Sequence, residues 1–247
     1  MSLPNLPADL RSELLDLRYR KHRQTSGLVV IEGMSQIREL VECGWTLRYA
    51  VTSKLTRPSE LPSGLAVYLT EQALIGRISE LQHPPELLVC AEYKTSTFEA
   101  LDPSKSIIFT DHIADPGNLG TMFRTGEWFG IRQWLIGPGT VDPFNSKVLR
   151  AAMGSLPRLT VVASADPVKD LKKLQKQGMN LVATMPSAKT MQIPSKNSCI
   201  MFGSEAGGLS QEYVQLADST FTIVRKGEAE SLNVAIAFAI TVYEIGS

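Results

Sequence analysis

A short apolar run, Ser106-Ile-Ile-Phe-Thr110, leads directly into Asp111-His-Ile-Ala-Asp-Pro-Gly-Asn-Leu-Gly-Thr-Met-Phe-Arg-Thr-Gly-Glu-Trp-Phe-Gly-Ile131. The run is brief and rich in β-branched residues, the signature of a strand buried on both faces. Asp115-Pro-Gly117 breaks the chain, and Asn118 is expected to cap a helix from about Leu119 to Phe129. This succession constrains the chain to a βα unit whose turn gathers backbone N–H donors at one rim of a sheet. In open α/β sheets that rim is where ligands bind.

Arg124 lies two helical turns beyond Gly117, on the face beneath the expected loop. Helical side chains lean toward the N-terminus, so its guanidinium can reach back to that loop. Two readings follow from the spacing. Arg124 serves the rim, or it is a solvated cation paired with Glu127 at i+3, worth a few tenths of a kcal/mol.

A chain of 247 residues makes one large or two modest domains. Lys+Arg and Asp+Glu both number 25, so any surface facing a polyanion must be a local patch. Cys43, Cys90 and Cys199 lie far apart, without CxxC or histidine spacing. No metal site or disulfide framework is expected; buried thiols in a reducing compartment fit better. No signal-peptide pattern is visible, and the uncharged run Ser231–Tyr243 is too short to span a bilayer. A cytoplasmic protein is expected.

Before residue 94 short apolar strands alternate with helices. Leu10, Leu14 and Leu17 mark an amphipathic helix over 7–17, followed by the cationic segment Arg18-Tyr-Arg-Lys-His-Arg23. That segment is either a solvated helix end or a phosphate-contacting patch. Strands are expected at 28–31, 49–52, 66–69 and 87–91, with helices over 34–43 and after a Thr70 cap. The polar stretch 94–105 reads as a linker, dividing the chain into 1–100 and 104–247. Beyond it, strands at 133–136, 159–162, 180–184, 198–202 and 220–224 alternate with helices, which implies a largely parallel sheet. Asp166-Pro167 starts one helix, cap then proline; its Lys169, Lys172, Lys173 and Lys176 read as a solvated basic side.

Two further loops fall at the same rim. Gly203-Ser-Glu-Ala-Gly-Gly208 fits neither a GxGxxG dinucleotide fingerprint nor a Walker A loop, so a bent organic ligand is a better expectation than a phosphate. Glu205 within it is either functional or a surface carboxylate near a helix start. Arg225-Lys-Gly-Glu-Ala-Glu230 leads to the expected final helix, Ser231–Glu244, apolar nearly all round. Such a helix needs burial on more than one side, which a second subunit can provide.

Taken together, the three loops resemble the motifs of the SpoU (TrmH-type) branch of the SPOUT RNA 2′-O-ribose methyltransferases. Asp115-Pro-Gly-Asn-Leu-Gly120 with Arg124 and Gly130 matches the first motif, Phe202-Gly-Ser-Glu-Ala-Gly-Gly-Leu-Ser210 the second, and Glu230-Ser-Leu-Asn-Val234 the third. Residues 18–93 look more loosely like the family's ribosomal-protein L30e-like substrate-binding domain, best over Arg23–Gly33. Val224 stands where the family often has proline, and Ala152 where it often has serine.

The resemblance implies an α/β chain: a small L30e-like domain, then a parallel-sheet SPOUT domain with a deep trefoil knot. It implies S-adenosylmethionine as cofactor, contacted by Gly203, Ile223, Leu232 and Thr184. Arg124, Asn118, Glu205 and Asn233 would line the reaction site, supported by Ser231. Arg18, Arg20, Lys21 and Arg23 would contact RNA. A homodimer through the helix 231–244 would place the active sites at its interface. Ribosomal RNA of the large subunit is the favoured substrate and transfer RNA the second. A non-catalytic RNA-binding or ribosome-assembly protein of the same fold, and an antibiotic-resistance methylase, stay open. A Rossmann dehydrogenase or methyltransferase is disfavoured by the missing glycine fingerprint.

Overall fold

The computed structural model of the protein describes residues 2–79, 81–186, 194–195 and 197–246. Two compact units emerge: Met1–Lys94 with Phe144–Pro157, and Thr95–Pro143 with Arg158–Ser247.

In the first unit the order is α1 (Ala8–Asp16), α2 (Arg20–Ser26), β1 (Leu28–Glu32), α3 (Met34–Glu42), β2 (Leu47–Thr52), β3 (Ala66–Leu69), α4 (Gln72–Ile78) and β4 (Leu87–Glu92). The strands pair as β1-β4-β2-β3, antiparallel except for the parallel β2–β3 edge. Leu14 and Leu17 join Leu74, Ile75 and Ile78 over Tyr49, Val51, Leu88 and Cys90 to form its core. Glu71, not Thr70, precedes α4 as its cap residue, and neither supplies a side-chain capping bond.

The second unit starts with β5 (Ile107–Thr110), α5 (Pro116–Trp128) and β6 (Gln133–Ile136). The next helix, α6 (Ser146–Ala152), belongs to the first unit, where it packs on β1 and Arg150 pairs with the buried Glu32 at 3.2 Å. The chain then returns through β7 (Thr160–Ala163), α7 (Pro167–Lys176), β8 (Asn180–Thr184), β9 (Ser198–Phe202), α8 (Gln211–Leu216), β10 (Ser219–Phe221) and α9 (Val234–Gly246).

Among the described residues the second sheet has the order β10-β8-β9-β5-β6-β7, with every pairing parallel. Parallel strands are covered on both faces, and their side chains alternate between two cores. Ile107, Phe109, Leu135, Val162, Leu181 and Met201 meet Leu171 and Leu174 of α7 and Tyr213 of α8. On the other face, Trp134 packs edge-on to Phe123 of α5, and Phe238 of α9 lies against both Trp134 and Phe202. The α/β architecture with a parallel sheet is therefore as expected.

Three boundaries that bear on the rim loops differ from the sequence reading. Helix α5 begins at Pro116, capped by Asp115, because proline's fixed φ and missing N–H suit the first helical position. Strand β10 ends at Phe221 rather than Val224. Its partner β8 ends at Thr184, and the Met185 N–H to Phe221 carbonyl bond at 2.9 Å follows the final rung. The last helix begins at Val234 rather than Ser231, with Asn233 as its cap: the Asn233 Oδ1 accepts the N–H groups of Ala235 (2.9 Å) and Ile236 (3.3 Å). Ser231 and Leu232 consequently lie in an exposed irregular segment ahead of α9.

Candidate active site

The C-terminal ends of β5, β9 and β10 open into the three loops picked out above. At the first, the Asp115 Oδ1 accepts the Asn118 N–H at 2.8 Å and so completes the helix cap. With capping assigned to Asp115, the Asn118 side chain is released for another task. Its Nδ2 donates to Glu205 Oε1 at 2.7 Å, and its Oδ1 accepts from Asn233 Nδ2 at 3.0 Å. Asn233 Nδ2 also donates to Glu205 Oε1 at 2.6 Å. Two asparagines, each from a different rim segment, thus close on one carboxylate oxygen of a third. Hydrogen bonds to an ionised carboxylate are shorter and stronger than neutral ones, and two of these are at the short end of the range. Glu205 Oε2 has no hydrogen-bond partner among the described residues, and the residue is exposed.

The loop that presents Glu205 is a tight hairpin. Ser204 and Gly208 exchange both backbone bonds, at 3.0 and 2.9 Å, and Gly208 takes a positive φ of 66°. A Cβ on Gly203 would overlap the carbonyl of Gly208 and the amide nitrogen of Leu209. Glycine is required there by the hairpin's own backbone, independently of any ligand. The hairpin is held at both ends by Asp111, a fully buried residue at the end of β5. The Asp111 N–H donates to the Phe202 carbonyl and its Oδ2 accepts the Ser210 N–H, both at 2.8 Å. Burial first, and then the carboxylates of Glu212 and Asp111, push the Tyr213 hydroxyl well above its ordinary range, so it stays neutral beneath this loop.

Sequence reasoning left Asp111 without a role. The available signal was a carboxylate ending a fully apolar strand, which must be satisfied when buried. It also assigned the α5 cap to Asn118, although Asp115-Pro116 repeats the Asp166-Pro167 pattern at α7, where Asp166 caps in the same way.

The remaining site residues are distributed as follows. Arg124 is exposed on the outer stripe of α5 that also carries Thr121 and Trp128, and makes no side-chain bond among the described residues. Its suggested partner Glu127 pairs instead with Arg132 at 3.3 Å. Arg124 is therefore not drawn into the Asn118–Glu205–Asn233 cluster. Ile223 is half-buried, Leu232 and Ser231 are exposed, and the Thr184 hydroxyl donates to the Met201 carbonyl at 2.7 Å. Arg18, Arg20 and Lys21 are exposed, whereas Arg23 is buried with Nη1 donating to the carbonyls of Leu17 and Arg18 at 2.9 Å. No group of side chains suited to a metal ion, and no helix long and apolar enough to cross a membrane, occurs among the described residues.

The chain is similar to known RNA methyltransferases. A Bacillus subtilis relative, 23S rRNA (guanosine(2553)-2′-O)-methyltransferase RlmP, is 30% identical over 233 residues, 93% of this chain and 92% of that protein. A putative RNA methyltransferase of the TrmH family from Porphyromonas gingivalis superposes with a TM-score of 0.83 at 28% identity, over 97% of this chain and 98% of that one. An AdoMet-bound rRNA methyltransferase from Sinorhizobium meliloti gives 0.84 at 26% identity, over 98% and 96%. Residues 12–89 match an MRM3-like substrate binding domain. Residues 105–243, which contain all three rim loops and the carboxylate on which they converge, match the SpoU rRNA Methylase family, and the chain belongs to it.

Proposed function

We propose that this protein transfers a methyl group from S-adenosylmethionine to a ribose 2′-hydroxyl of large-subunit ribosomal RNA. The observation that carries the reading is the convergence of Asn118 and Asn233 on Glu205 Oε1, with no partner for Oε2 among the described residues. The B. subtilis relative, named for 2′-O-methylation of 23S rRNA and aligned over nearly the full length of both chains, supports the choice of substrate. Transfer RNA is the alternative that the same experiment would reveal.

The residues present fit the cofactor. The half-buried Ile223 and the exposed Leu232 would offer apolar surface to an adenosine, and the rim loops would offer it backbone polar groups. Gly203, Ile223 and Leu232 would hold S-adenosylmethionine; Thr184, whose hydroxyl already serves Met201, would shape the floor. A deep knot in the segment from β8 to α9 is part of the proposal. When bound, the cofactor supplies an activated methyl on a sulfonium.

The protein's own task is to align the ribose and dispose of its proton. Glu205 Oε2 would accept the 2′-hydroxyl proton, the O2′–methyl bond forming as the sulfur–methyl bond of the donor breaks. Asn118 and Asn233 fix the Glu205 carboxylate for this step, and Ser231 borders them. Arg124 is a permanent cation and not a base. It holds the adjacent phosphate and steadies negative charge developing on O2′.

Arg18 lies just past the Leu17 cap of α1, where a helix dipole favours a cation; the exposed Arg20 and Lys21 start α2, where it opposes them. Phosphate contacts of the RNA-binding region 1–100 explain their placement better than dipole compensation does. Arg23 contributes to that patch by bracing the turn that displays Arg18.

The outer face of α9 carries Ile236 and Tyr243 two turns apart, 52% and 60% exposed, beside Trp128 at 83%. Phe129 meets the Tyr243 ring at 6.3 Å. An apolar surface of this kind, with Trp128 on the same α5 stripe as Arg124, which makes no side-chain bond among the described residues, fits a homodimer whose active site is completed across the interface.

The deciding experiment is to map 2′-O-methyl groups in total RNA with and without the protein. Loss of one large-subunit ribosomal methyl group supports the reading, and loss of none refutes it.

A further inference from the structure

His112 follows Asp111 at the rim and is one of two non-glycine residues with positive φ among those described, at 55°. That conformation costs an L-residue of this size on the order of 1 kcal/mol and persists only where its surroundings impose it. Three neighbours do so here. The His112 N–H donates to the Pro138 carbonyl at 2.9 Å. Its Nδ1 lies 2.6 Å from Asp111 Oδ1. Its ring fills the space over Gly139, where a Cβ would overlap it. Yet the side chain remains 55% exposed.

The fold does not need an imidazole in this place. Glycine or asparagine meets a left-handed turn more easily, and an asparagine amide can equally satisfy a buried carboxylate. What only histidine adds is a second ring nitrogen. With Nδ1 directed at Asp111, Nε2 points away from the buried carboxylate. Asp111 also clasps both ends of the Glu205 hairpin, so the ring is fixed in the same frame as the Asn118–Glu205–Asn233 cluster.

We propose that His112 is a substrate contact, its Nε2 hydrogen-bonding a backbone oxygen of the RNA, with Asp111 as the positioning residue that orients the ring. This rests on the RNA-methylation reading above.

The test is His112→Asn, which keeps the left-handed turn and a donor toward Asp111 but lacks Nε2. Tritiated methyl transfer to total RNA from cells lacking the protein is measured across RNA concentrations, with cofactor affinity by calorimetry and melting temperature alongside. The expected result is a KM for RNA raised about tenfold, as the loss of one oriented hydrogen bond predicts, with cofactor affinity and melting temperature held. Loss of the same effect on RNA carrying 2′-deoxy substitutions identifies a ribose hydroxyl; its persistence identifies a phosphate oxygen. A KM within twofold of wild type overturns the inference while leaving the methylation reading intact. No transfer by the wild-type protein overturns both.

Discussion

Asn233 performs two tasks with two ends of one amide, and they can be separated by one substitution. Its Oδ1 caps α9 and its Nδ2 serves Glu205 and Asn118. Asn233→Asp preserves the cap, since aspartate is an equally good N-cap and its charge favours a helix N-terminus. It removes the donor at 2.6 Å from Glu205 Oε1 and sets a second carboxylate against the first. Charge-assisted bonds contribute about 1.5–3 kcal/mol when sheltered, and the exposure of this cluster argues for the lower end. Repulsion at this separation adds about 1 kcal/mol in a water-like surround. The sum, roughly 2–3 kcal/mol, corresponds to a loss of about 30- to 150-fold in kcat/KM at 1.4 kcal/mol per tenfold. Asn233→Ala loses the cap as well, and its melting temperature should fall by the equivalent of about 1 kcal/mol. Methyl transfer and thermal unfolding are measured on both variants. Activity of the aspartate variant within twofold of wild type would refute the assignment of Nδ2 to the site. So would an activity loss that merely follows the drop in melting temperature.

Arg124→Ala should lower methyl transfer by orders of magnitude while cofactor affinity by calorimetry survives, and Arg124→Lys should fail too if two-pronged phosphate binding matters. Gly203→Ala places a methyl group into the Gly208 carbonyl and should open the hairpin, costing about 1–3 kcal/mol in thermal unfolding and abolishing cofactor binding. In the first unit, Arg150→Ala leaves the buried Glu32 with only the Ser79 hydroxyl, at 2.6 Å, among the described residues; about 3–5 kcal/mol of destabilisation is expected in denaturant unfolding. Burial pushes the Cys90 thiol up to about 12, and Cys199 is fully buried, so a thiol reagent at pH 8 should label only Cys43 in the native protein and all three cysteines in denaturant.

Charge reversal of Arg18, Arg20 and Lys21 should weaken RNA binding and flatten its salt dependence, whereas Trp128→Glu should convert a dimer to monomers in light scattering.

The strands of the second unit were legible because each is a short apolar run between turn residues, and a parallel sheet buries both faces of such a run. Helix α7 was legible from Asp166-Pro167, because capping is a matter of residues three apart. The same local logic applied at Asp115-Pro116, where the more familiar asparagine cap drew attention from it. The identities of the rim residues could be read by their resemblance to three motifs. Their geometry could not, because Asn118 and Glu205 are 87 residues apart and Asn118 and Asn233 are 115 apart.

Thus the sequence alone determined the βα alternation, the glycine turns and the candidate residues, all properties of neighbours along the chain. Only the tertiary structure decided that Asp115 caps α5 and so frees Asn118. It alone put Arg23 into the fold and left Arg124 outside the carboxylate cluster. It alone gave one buried aspartate both ends of the Glu205 hairpin. Those outcomes depend on which strand ends become neighbours, and on the need of every buried polar group to find a partner there.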